Sequence, residues 1–166
     1  VIHASISAYN ADLKEAQEIL NSADIVFISG GDVEKGMCIL EEKNMVDFLR
    51  KPYERGKLFF GLSAGSIMLA KKWVRWSDPN DDSTAELFPC LGFVPIICDT
   101  HGEQDDWGEL QAALRLAEDE KAYGIVSGTA VKVYPDGEME ALGGPVHQFV
   151  RREDRVIRVS DILPVA

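Results

Sequence analysis

The sequence predicts an α/β protein whose mostly parallel sheet is covered by helices on both faces. Three observations predict it: short β-rich runs alternate with longer segments of helical spacing, two of the short runs are continuously apolar, and glycine-rich turns follow those two at once. With 166 residues, 46% of them apolar and 27% charged, the chain has the make-up of one ordinary globular domain spanning 1–166. A chain of this size buries roughly 70% of the surface it exposes when unfolded, enough for a core without staples.

Taken in order, residues 12–20 place Leu13, Ala16, Ile19 and Leu20 at helical spacing. A strand follows at 25–28, ended by Ser29-Gly30-Gly31-Asp32. Residues 37–50 read as one helix through Ile39, Leu40, Met45, Val46 and Leu49, closed by Pro52 and Gly56. A second buried strand is expected at 57–60. Gly61-Leu62-Ser63-Ala64-Gly65 follow directly, and 66–73 resume helical spacing. From 75 to 86 the composition shifts to Asp, Ser, Pro and Asn, a surface loop beneath which a ligand can lie. Residues 91–97 read as a strand that delivers Asp99-Thr100-His101, and 107–118 as a helix. Residues 123–134 and 148–159 are strand-like, with turns at Pro135-Asp136-Gly137 and Gly143-Gly144-Pro145.

Composition excludes several function classes. The formal charge is 17 − 28 = −11, and the basic pairs Lys71-Lys72 and Arg151-Arg152 are isolated in an acidic field, so a nucleic-acid partner is not expected. Cys38, Cys90 and Cys98 form no CxxC pair, which leaves no local zinc or redox motif; neither metal nor cofactor is expected. No apolar run reaches the roughly 18 residues of a membrane span. No membrane partner and a cytoplasmic location are therefore the expectation, and a homodimer is compatible with it. The opening at Val1, already apolar and without Met, leads us to expect a trimmed amino terminus.

A serine hydroxyl is a poor nucleophile until a base takes its proton and donors meet the resulting oxyanion. In a GxSxG elbow the serine stands on a strained strand-to-helix turn, and the glycines are there because a side chain would strike neighbouring backbone. Gly61 and Gly65 flank Ser63 in this way. The N–H of Ala64 would point at the same space. In a parallel sheet the Gly30-Gly31 loop emerges at the same carboxyl edge, so Gly31 can complete an oxyanion hole. Plain alternatives are that Ser63 caps a helix and the glycine pair ends a strand. Among His3, His101 and His147, His101 is best placed as base because it ends a strand beside the elbow; His147 is the runner-up.

Ile28-Ser29-Gly30-Gly31-Asp32, Gly61-Leu62-Ser63-Ala64-Gly65-Ser66, Leu91-Gly92-Phe93, Asp99-Thr100-His101 and Tyr123-Gly124-Ile125 with Thr129-Ala130, in this order and spacing, resemble the peptidase S51 family. That family contains aspartyl dipeptidase and cyanophycinase. The resemblance implies a three-layer α/β/α sandwich, class I glutamine amidotransferase-like (flavodoxin-like), here without the family's first strands. It also implies a serine peptidase of small peptides, dipeptides or isopeptides, including Asp-containing ones. Ser63 would be the nucleophile, His101 the base, and Gly31 and Ala64 the oxyanion donors.

Two departures stand out within the matched region. Family members usually follow the His with arginines, but here the run is Gly102-Glu103-Gln104-Asp105-Asp106-Trp107-Gly108-Glu109, which would repel an acidic substrate. The family's acidic position after the later Gly-Ile reads Ser127. The acid that orients the imidazole must come from elsewhere. Asp78, in the polar loop, is the first choice; Glu103, two residues after His101, is second, and Glu86 third. Two other readings compete: an α/β-hydrolase esterase using Ser63, Asp99 and His147, and a catalytically impaired binding module that keeps only the elbow.

Overall fold

The computed structural model describes residues 1–118, 121–153 and 155–165. Helix α1 (Leu13–Ser22) begins where the Asp12 carboxylate accepts from the N–H groups of Lys14 and Glu15, filling donors that have no partner inside the helix. Strand β1 (Ile25–Ile28) pairs in parallel with β2 (Leu58–Gly61), bringing Ile28 opposite Gly61. Between them the single helix expected over 37–50 is two, α2 (Val33–Glu42) and α3 (Met45–Glu54). Asn44 breaks them apart in the left-handed region at φ 54°, which asparagine tolerates better than most residues. Pro52 does not close the helix but sits in the last turns of α3, where its missing N–H removes one internal bond near the end.

Helix α4 (Ala64–Leu69) is shorter than expected. What reads as its continuation is strand β3 (Lys72–Trp76), which pairs antiparallel with β4 (Ala85–Pro89). The surface loop expected over 75–86 therefore shrinks to the tip of a hairpin, 77–84, holding a short 3-10 turn at Asp82–Thr84. Residues 91–97 form no strand; β5 covers only Cys98–Thr100. Beyond helix α5 (Gly108–Leu116) come β6 (Lys121–Ile125), β7 (Ala130–Val133), β8 (Met139–Leu142), β9 (Val146–Arg152) and β10 (Arg155–Arg158).

The sheets are mixed, which corrects the expectation of a mostly parallel one. Among the described strands, β1–β2 and β5–β6 are parallel, whereas β3–β4, β7–β8, β6–β9 and β9–β10 are antiparallel. A tight turn such as Pro135-Asp136-Gly137 can join only antiparallel neighbours, and the second half of the chain is built from such turns. The four-stranded sheet runs β10-β9-β6-β5.

One core gathers Val26, Met37, Leu40, Met45, Leu49, Ile67, Met68 and Leu91 under α1 to α4. A second, around Val74, Ile97, Trp107, Leu110, Leu114 and Phe149, fixes α5 against the hairpin and the larger sheet. Neither β1 nor β2 is buried on both faces, contrary to the apolar run of each. Helices cover one side, and Ile25, Phe27, Leu58 and Phe60 are about half exposed on the other. Among the described residues no helix is long and apolar enough to cross a membrane.

Candidate active site

Backbone sterics assemble the site. A Cβ on Gly65 would lie 2.1 Å from the carbonyl oxygen of Ile28, and one on Gly61 would lie 2.3 Å from the Gly65 carbonyl group. Only glycine lets the end of β1 and the start of α4 pass this closely. Ser66 Oγ donates to the Gly61 carbonyl at 2.9 Å, and Leu62 N–H to the Ile28 carbonyl at 3.1 Å, which locks the turn to both strands. Ser63 is thereby held at φ 56°, ψ −125°, a conformation costing on the order of 1–3 kcal/mol for a residue with a side chain. The glycine-pair loop presses on it: a Cβ on Gly30 would stand 3.1 Å from Ser63 Cβ.

A second strained turn presents His101. His101 follows β5 at φ 66°, and Asp106 and Trp107 are also left-handed. Trp107 N–H donates to the Gly102 carbonyl at 2.8 Å. Its ring fills the space over Gly102 and Gly124, where any Cβ would come within 2.8 Å of ring carbons. The loop is thus anchored at both ends, and it sets His101 Nε2 3.0 Å from Ser63 Oγ, a distance at which the hydroxyl donates to an unprotonated ring nitrogen. A cleft of about 360 Å³ opens at this pair, bordered by Gly31, Asp32, Glu34, Ala64, Trp73, Thr100 and Glu109. Ala64 begins α4, so its N–H has no acceptor inside the helix, and Gly31 at φ 147° stands across the same space with no Cβ.

The three candidate acids fall in different places. Asp78 is turned to its own loop, where Oδ1 accepts from Asn80 N and Nδ2, and it does not border the cleft. Glu86 pairs with Arg75 Nε at 2.7 Å on the hairpin. Glu103 accepts from the Ser127 N–H at 2.5 Å. That bond above all, with the charge of His101 adding to it, holds the Glu103 carboxyl below the usual carboxylate range. Spacing along a loop says nothing of where a carboxylate turns: Asp78 turns to Asn80 in its own loop, whereas the Glu103 carboxyl feels the charge of His101. His147 lies under Trp107, with Nδ1 2.7 Å from Arg158 Nη2 and 3.2 Å from Asp161 Oδ1. Neither it nor His3 borders the cleft, which removes the geometry of the esterase reading.

Sequence reasoning misses Trp73 and Glu109. Trp73 Nε1 donates to Glu109 Oε2 at 3.1 Å, linking β3 to α5 on the border of the cleft that holds Ser63. The alternation in Lys72-Trp73-Val74-Arg75-Trp76 is the signal that could have placed Trp73 on a strand. No metal site is formed by three or more His, Cys, Asp or Glu side chains among the described residues. Burial pushes the Cys90 thiol up to about 12 and the Cys98 thiol higher still, so neither supplies a thiolate nucleophile.

Asp99 is the one charged side chain buried in the described core, 5% exposed. Burial pushes its carboxyl up to about 7, against the pull of the Thr100 N–H, and the charges of Glu109 and Asp105 push the same way. Relative to its ordinary value of 3.8, the folded group holds its proton more tightly than the unfolded one. Its contribution to stability is therefore present below pH 4 and is lost as pH rises through 7, by on the order of 4 kcal/mol at most. Asp99→Asn is expected to remove that loss: urea melts at pH 5 and pH 8 should show the variant gaining on the parent at the higher pH, and an unchanged difference would contradict it.

Comparisons with known proteins point to a peptidase family. The profile of Peptidase family S51 matches residues 2–140. Peptidase E of Haemophilus influenzae is 29% identical over 84 residues, 46% of this chain and 37% of that protein. The crystal structure of a peptidase from an acI-B1 Actinobacterium superposes with a TM-score of 0.65 at 18% identity, covering 92% of this chain and 64% of that one. The chain thus spans a little over a third of the first relative and under two thirds of the second.

Proposed function

The chain belongs to peptidase family S51, and on that premise we propose that it is a serine peptidase of small peptides working through an acyl-enzyme on Ser63. The single observation that carries this reading is the 3.0 Å approach of His101 Nε2 to Ser63 Oγ on a turn that only glycines permit. Ser63 Oγ bonds to the scissile carbonyl carbon while its proton passes to His101 Nε2. The carbonyl oxygen, now an oxyanion, meets the N–H groups of Gly31 and Ala64. As the C–N bond breaks, His101 returns the proton to the leaving amine, and water then repeats the sequence to free the acid. Glu103, pinned by Ser127, takes the part of the carboxylate that orients the imidazole. The same reading carries with it the three-layer, amidotransferase-like sandwich and a dipeptide or isopeptide substrate.

The test is covalent labelling by a neutral fluorophosphonate. Mass spectrometry should find the adduct on Ser63, and Ser63→Ala should take up none. Labelling scattered over other serines, or absent, would favour the impaired binding module instead. Glu103→Gln should slow that labelling by roughly tenfold to a hundredfold, since it keeps the acceptor for Ser127 and removes only the charge. An equal rate in that variant would remove Glu103 from the relay.

A further inference from the structure

Resting on the proposal that Ser63 is acylated, we propose that its cleft selects substrates bearing a cation beside the scissile carbonyl, an ammonium or guanidinium group received by Glu109, Glu34 and the face of Trp73. The cleft is bordered by three carboxylates, Asp32, Glu34 and Glu109, one imidazole and one indole, and by no Lys or Arg among the described residues. The nearby cations are already engaged. Arg75 places Nη1 2.5 Å from Glu34 Oε1 and Nε 2.7 Å from Glu86 Oε1, so one guanidinium serves two carboxylates and leaves a net negative charge. Lys35 stands 3.5 Å from Asp32 on a side chain 82% exposed, where solvent screens it.

Glu109 differs from both. It is held by a neutral donor, Trp73 Nε1, so the bond fixes its position and leaves its charge intact. A carboxylate tied to the edge of an indole, with the ring beside it, is a receptor for a cation: the ring face attracts positive charge and the carboxylate pairs with it. The surrounding field has the same sign. Glu103, Asp105 and Asp106 follow His101, and the upward push of Glu109 and Asp105 on the buried Asp99 registers that crowding. An acidic side chain entering beside Glu109 would meet like charge there, a cost that selects against it.

The cation can belong to a free α-amino group or to a basic side chain, and four peptidyl phosphonates separate these sources. One is capped with a lysine side chain, one uncapped with a neutral side chain, one capped and neutral, and one capped with an aspartate side chain. The readout is the rate of Ser63 labelling on the full chain. At least one cationic probe should react about tenfold faster than the capped neutral one, and the aspartate probe should be slowest. Whichever cationic probe gains identifies the source. Glu109→Gln keeps the acceptor for Trp73 and should shrink the ratio of cationic to neutral rates several-fold; Glu34→Gln is the second variant, and added salt should shrink the ratio in the parent. Equal rates for all probes, or a faster aspartate probe, would overturn the preference while leaving the serine mechanism standing. No labelling by any probe would overturn both.

Discussion

On the proposed mechanism, Ser63→Ala and His101→Ala are each expected to lower kcat/KM on any dipeptide the protein cleaves by on the order of 10^4-fold or more, and the double variant should be scarcely worse than either alone. In that mechanism nucleophile and base act as one unit. Without the imidazole 3.0 Å away the hydroxyl keeps its proton, and without the hydroxyl the imidazole has no proton to take. What would remain in each variant is binding and the proposed oxyanion donors, the N–H groups of Gly31 and Ala64, which would still polarise a carbonyl. The expected signature is loss in kcat with KM little changed, because the pair acts on the transition state rather than on the bound substrate. Losses that multiplied in the double variant would mean two independent contributions, and the relay would be abandoned. His147→Ala, outside the lining of the cleft and paired with Arg158 and Asp161, is the control and should retain the parent kcat.

The elbow is legible in the sequence because its steric demand is local and leaves no alternative to glycine at Gly61 and Gly65. The strand-ending His101 is legible for a related reason: a residue just past a sheet edge reaches whatever else stands there. Direction is harder to read. The run at 66–73 carries helical spacing, yet the chain leaves α4 after Leu69 and enters β3 at Lys72, since pairing with β4 buries Val74 and Phe88 where another helical turn would not. That one misreading hides Trp73 and, with it, the partner of Glu109. The acid is hidden differently. Asp78, Glu86 and Glu103 are alike as letters, and what separates them is which N–H or guanidinium each carboxylate finds: Asn80, Arg75 and Ser127 respectively. Strand burial fails for a third reason. Ile25, Phe27, Leu58 and Phe60 are as apolar as core residues, but α1, α2 and α3 pack on one side of β1 and β2 only.

Gly65→Ala is expected to destabilise the fold by more than about 3 kcal/mol, the upper end for inserting a methyl group into packed structure, because here the obstacle is backbone. The new Cβ would sit 2.1 Å from the Ile28 carbonyl oxygen and 2.8 Å from the Ser29 carbonyl oxygen. Relief requires α4 to back away from the end of β1, and α4 cannot move alone. It carries Ile67, Met68 and Leu69 into the first core, and Leu91 N–H and Phe93 N–H donate to the carbonyls of Met68 and Leu69 at 2.9 and 3.0 Å. Gly31→Ala makes the contrast: no atom stands within 4 Å of its added Cβ, so the change costs only the strain of φ 147°, about 1–3 kcal/mol. Urea denaturation should rank the two in that order, with Gly31→Ala still folded and Gly65→Ala marginal or insoluble. Were Gly65→Ala to melt with the parent, the contact between α4 and β1 would not be what places Ser63, and the strained serine would need another cause.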